Sequence, residues 1–152
     1  MCNQREITGD AVNFHCERRV LFQDCDAAKI VFYPRYMEML DDVVEDWLRE
    51  IGVWGYPLAN GDSDCNRPQL TKAEIDFQHP SQLGDNLQFA LTLQKVDEYR
   101  IWLLASVSCH DESRLKVKLE LASAARGEQI GRSALPHAMY QSLVAQFAAT
   151  KP

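Results

Sequence analysis

Two aspartates separated by a single residue, Asp24 and Asp26, stand just ahead of a hydrophobic, helix-opening segment in "FQDCDAAKIVFYPRYMEML", residues 22–40. The first turn of a helix leaves backbone N–H groups unpaired and carries roughly half a positive charge, so it draws anionic groups. Such donors suit an oxygen that gains negative charge during acyl transfer. A carboxylate beside them could act on water as a base, or attack an acyl carbon itself. Acids ahead of a helix are also ordinary caps and turn formers. Asp26, however, stands eight residues before Pro34, too far to be the conventional cap.

No rival machinery is visible. The chain has no G-x-S-x-G, no phosphate-cradling glycine loop and no H-x-x-x-D pair near a plausible cleft. His15, His79, His110 and His137 share no motif and are expected to be structural or exposed, and Trp47, Trp54 and Trp102 to be core or rim residues. Cys2, Cys16, Cys25, Cys65 and Cys109 are odd in number, irregularly spaced and without a C-x-x-C pair. That pattern indicates neither a disulfide framework nor a zinc site. No metal is expected.

The elements that must position Asp26 follow from periodicity. "FHCERRVLFQ", Phe14 to Gln23, reads as a strand. After Pro34 the apolar residues Tyr36, Met37, Leu40, Val43, Val44, Trp47, Leu48 and Ile51 keep the spacing of one helix face, and Gly52 is a natural stop. Residues 53–67 read as a long loop, a common border of ligand sites. Four runs then alternate strictly: Ala73, Ile75, Phe77; Leu87, Phe89, Leu91, Leu93; Ile101 to Cys109; and Leu115, Val117, Leu119, Leu121. Period two over such lengths predicts strands with one buried face. The short connectors "HPSQLG", "DEY" and "DES" predict that neighbours pair antiparallel. A short terminal helix, "HAMYQSLVAQFA", carries Met139, Leu143, Val144 and Phe147 on its apolar stripe. The expected architecture is α+β, an antiparallel five-stranded sheet wrapped around a long helix, with edge strands that dimerisation would cover.

At 152 residues the chain has the length of one domain. A net charge of −6 disfavours nucleic acid as a principal partner. No apolar run approaches the roughly 18 residues needed to cross a bilayer. The polar first residues lack a signal-peptide core, so a cytoplasmic location is expected.

The 22–40 stretch resembles the signature of hotdog-fold acyl-CoA thioesterases of the hydroxybenzoyl-CoA thioesterase type: D-x-D-x-x-x-I/V-V-aromatic-Y/H, then a residue or two, an aromatic Tyr and the long central helix. The strand–helix–four-strand order extends the resemblance over most of the chain, implying a single hotdog domain over residues 1–152. It places Asp26 at the catalytic carboxylate and Tyr33 at the residue whose backbone N–H receives the thioester carbonyl oxygen. Ile30, Val31 and Phe32 fall on the stretch lining the acyl region, Asp41 on a helix position facing the acyl group, and Asp24 on a supporting acid. Lys29 stands where glycine is common, and Pro34 suggests the aromatic-acyl branch. The resemblance implies an acyl-CoA substrate, no cofactor beyond the coenzyme A of the substrate itself, and a homodimer or homotetramer with sites between subunits. Lys72, Lys116, Lys118, Arg126 and Arg132 are candidates for the coenzyme A phosphates. A non-catalytic acyl-CoA-binding hotdog domain, or a thioesterase for aliphatic acyl-CoA or acyl-carrier protein, remains open.

Overall fold

The alternating runs become antiparallel strands. In a computed structural model describing residues 12–52, 68–123 and 127–149, the order is β1 (Phe14–Arg19), a single 3-10 turn (Phe22–Asp24), α1 (Tyr33–Glu50), β2 (Gln69–Phe77), β3 (Asn86–Val96), β4 (Arg100–Cys109), β5 (Glu112–Ala122) and α2 (His137–Ala149). The sheet order is β1-β3-β4-β5-β2.

Two tight turns set that order. Asp97 folds its carboxylate back onto the N–H groups of Tyr99 and Arg100 at 2.8 and 2.7 Å, closing the β3–β4 hairpin. His110 and Asp111, both at positive φ (50° and 63°), form the two-residue link between β4 and β5, with the backbone hand that matches strand twist. These hairpins leave only the outer edges of β3 and β5, which β1 and β2 take.

The core lies where α1 crosses one face of the sheet. Leu87 to Leu93, Ile101 to Val107 and Leu115 to Leu121 supply alternate side chains to a cluster containing Leu40, Val43, Val44, Trp47 and Leu48. Each such side chain, fully buried, contributes about 1.5–3 kcal/mol. Met39, absent from the predicted helix face, is buried as well. α1 ends where Gly52 turns to φ +79° and donates to the Arg49 carbonyl at 3.0 Å. Met139, Leu143 and Phe147 of α2 complete the cluster.

Three expectations are corrected. The first strand stops at Arg19 rather than Gln23. Asp24 accepts a hydrogen bond from the Leu21 N–H at 2.8 Å, winding the chain into the 3-10 turn, a local bond that competes with the ladder. Second, β2 and β3 do not pair. Residues 78–85 carry the chain past two strands, held by Gln78 and His79 N–H groups on the Arg114 carbonyl (2.9 and 3.1 Å) and by Val20 N–H on the Asp85 carbonyl (2.8 Å). Third, the apolar face of β2 is not buried: Ala73 and Phe77 are exposed and Ile75 only half-buried, because β2 is an edge with no strand beyond it. The predicted loop 53–67, with Trp54, and Cys2, Cys65 and Arg126 lie outside the described residues.

Candidate active site

The Asp26 turn is built almost wholly from backbone bonds. Asp26 N–H donates to the Ile30 carbonyl at 2.9 Å and Lys29 N–H to the Asp26 carbonyl at 3.0 Å. The Asp26 Oδ1 accepts from the Ala28 N–H at 2.8 Å. Lys29 sits at φ +62°, the left-handed conformation that favours glycine. The turn therefore keeps the shape that glycine would give, with a lysine held in it. Cys25 and Val31 pair across the turn, and Val31 N–H donates to the Ser81 carbonyl at 2.9 Å. The crossing segment thus pins the strand that leads into α1. Asp26 itself is exposed.

Asp24 does something different. Nearly buried at 5% exposure, it takes Arg35 Nη2 and Nε on one oxygen at 2.9 and 3.2 Å and the Leu21 N–H on the other. Its carbonyl accepts from Phe32 N–H at 3.0 Å. Asp24 ties the turn to the first turn of α1.

Phe32 is the cap residue of α1, with extended backbone, and Tyr33 and Pro34 are the first helical residues. Arg35 N–H is bonded to the Phe32 carbonyl, whereas the Tyr33 N–H has no acceptor among the described residues. Pro34 has no N–H to leave unpaired. At the positive end of an eighteen-residue helix, an amide without an acceptor among the described residues thus lies two residues past the Cys25–Val31 pair that closes the Asp26 turn.

Beside this amide a cavity of about 250 Å³ opens between the helix start and the end of β2. Val31, Tyr33, Tyr36, Phe77, Gln78, His79 and Pro80 line it. Tyr36 and Phe77 face each other with ring centroids 6.1 Å apart. Burial pushes the Tyr36 phenol above its ordinary pKa, so it stays protonated. Of the predicted site residues, the structure brings Val31 and Tyr33 to this cavity, with Asp26 on the adjoining turn. Ile30, half-buried, bridges to Gln82, and Phe32 is about half exposed with its ring 5.4 Å from that of Tyr33. Asp41 lies in a separate small cleft with Met37, Val44, Leu70 and Leu119. Cys25 supplies no thiolate, since desolvation and then the flanking Asp24 and Asp26 push its thiol up.

Sequence reasoning missed the contribution of Tyr36, Phe77, Gln78 and His79. The usable signals were an aromatic in the first turn of α1 and a His-Pro pair in the β2–β3 connector. The cation candidates on β2 and β5 face acids instead: the register sets Lys72 opposite Glu120, Lys116 opposite Asp76 and Lys118 opposite Glu74. No helix among the described residues is long and apolar enough to cross a membrane.

A five-stranded antiparallel sheet packed against a long helix is the hotdog arrangement. A family model described as the thioesterase-like superfamily matches residues 20–141, and the chain belongs to that superfamily. It is 24% identical over 117 residues to a 1,4-dihydroxy-2-naphthoyl-CoA hydrolase of Synechocystis sp., covering 70% of this chain and 76% of that one. With the enzyme of the same name from Thermosynechococcus vestitus it shares 31% identity over 87 residues, 57% of this chain and 58% of that one. Among solved structures, a 4-hydroxybenzoyl-CoA thioesterase variant complexed with 4-hydroxybenzoyl-CoA superposes with a TM-score of 0.71 at 18% identity, covering 86% of this chain and 97% of that one. That last likeness is one of fold.

Proposed function

We propose that this protein hydrolyses the coenzyme A thioester of an aromatic acid, with Asp26 as the working carboxylate and the Tyr33 N–H as the oxyanion donor. The observation that carries this is the rigid link between the two groups. The Cys25–Val31 pairing and the Asp26–Ile30 bond fix the carboxylate turn to the strand that ends at the unpaired Tyr33 amide. As a base, Asp26 takes a proton from water while the resulting hydroxide adds to the acyl carbon. As a nucleophile, it adds directly and water later cleaves the anhydride. In either case the carbonyl oxygen gains charge at the Tyr33 N–H, the carbon–sulfur bond breaks and coenzyme A leaves as the thiolate.

An aromatic acyl group is supported by the Tyr36 and Phe77 walls and by the likeness to 1,4-dihydroxy-2-naphthoyl-CoA hydrolases. The cavity is smaller than the ~300–1,000 Å³ typical of drug-sized ligands, which suits one or two rings. A second copy of the chain would complete the site. Phe22, Phe32, Tyr33, Leu70 and Phe77 leave large apolar surface exposed around the helix start and along β2, the kind of patch that marks an association surface. The free thiols of Cys16, Cys25 and Cys109 suit a reducing cytoplasm.

Asp26→Asn tests the reading. Asparagine can keep the bond to Ala28 N–H, so thermal stability should hold while hydrolysis of aroyl-CoA substrates falls by about 100- to 10,000-fold. An unchanged rate would show that Asp26 only shapes its turn. Single turnover in ¹⁸O-labelled water then separates the two roles, because label entering the enzyme's carboxylate marks the covalent route.

A further inference from the structure

The cavity wall carries an imidazole, that of His79, which the proposed hydrolysis does not use. His79 is fixed from several sides. Its N–H donates to the Arg114 carbonyl at 3.1 Å, the Arg114 guanidinium donates to the Pro80 carbonyl, and the His79 Nδ1 stands 3.0 Å from the Ser113 carbonyl oxygen. A carbonyl can only accept, so Nδ1 carries the hydrogen, and the Glu112 carboxylate 4.0 Å away favours the same arrangement. With the hydrogen on Nδ1, Nε2 is the ring nitrogen left to accept a hydrogen bond. Val31, Tyr36, Phe77 and Pro80 form the apolar and aromatic part of the wall, which Tyr33 and the polar Gln78 complete. In such a cavity a few polar groups fix the ligand's orientation, and an acceptor selects a ligand that brings a donor.

We propose that His79 is a specificity-determining residue whose Nε2 accepts a hydrogen bond from a ring hydroxyl of the acyl group, selecting hydroxyaryl over plain aryl thioesters. This rests on the aromatic thioesterase reading above. The His79 side chain is about half exposed at 54%, so water competes for the bond and the discrimination is modest.

The test compares 4-hydroxybenzoyl-CoA with benzoyl-CoA on the full-length protein. Wild type should favour the hydroxylated substrate in kcat/KM. His79→Ala should cut that preference by about threefold to tenfold, the worth of one ordinary hydrogen bond, through the hydroxylated substrate alone. His79→Gln, which keeps an acceptor, should retain part of it. Equal losses on both substrates, or an unaltered preference, would overturn the inference. Measuring Kd for both thioesters on Asp26→Asn, with and without His79→Ala, gives the same comparison without turnover. A wild type that binds both substrates but hydrolyses neither counts against the hydrolase reading, and the binding ratio still decides the role of His79.

Discussion

β4 and β2 both place apolar residues at alternate positions, yet their fates differ. On β4, Ile101, Leu103 and Val107 are fully buried, whereas on β2 Leu70 and Phe77 remain 42% and 50% exposed. The difference lies in position. β4 has a strand on each side and α1 across its inner face, while β2 is the edge beyond β5. Alternation therefore reports which residues share a face, and the neighbours decide whether that face is covered. On β2 the uncovered face borders the candidate site, where Phe77 lines the cavity.

The largest effect that could break this contrast is on β4. Leu103→Ala should cost about 2–5 kcal/mol in denaturant unfolding, independent of protein concentration. Leu70→Ala on β2 should cost under about 1 kcal/mol, and if a second copy covers β2 that cost should change with protein concentration. Equal costs at all concentrations would erase the distinction between core strand and contact strand.

The next effect separates the two aspartates. Asp24→Ala strands the Leu21 N–H, leaves Arg35 with Glu38 alone, and should destabilise by about 1–3 kcal/mol, seen as a lower unfolding midpoint. Asp26→Asn should leave that midpoint in place. The smallest effect concerns Lys29. Relief of a left-handed, non-glycine residue is worth about 1–2 kcal/mol and glycine's extra chain entropy takes back about 0.5–1. Lys29→Gly should therefore raise stability slightly, by up to about 1 kcal/mol, in thermal or denaturant unfolding.

Much of this was legible in the sequence because it is local. The three-and-four spacing after Pro34 defined α1, period two defined the strands, and the D-x-D stretch singled out the acids and Tyr33. What was hidden depends on distant parts of the chain. The β2–β3 connector looks like a hairpin loop, but β3 already has β1 and β4 as neighbours, so the chain crosses to the far edge. That crossing brings His79 beside Tyr33, a juxtaposition that no spacing in the sequence encodes. The end of β1 was missed for a smaller reason, the hydrogen bond that the Asp24 carboxylate accepts from the Leu21 N–H, three residues back.

The most direct measurement is a structure of the Asp26→Asn protein with an intact aroyl-CoA bound. The account predicts the acyl carbonyl oxygen about 2.7–3.1 Å from the Tyr33 nitrogen, with the side chain at position 26 in reach of the carbonyl carbon or of a water poised on it. A thioester whose carbonyl points away from Tyr33, with residue 26 still folded onto Ala28 and facing solvent, would contradict it.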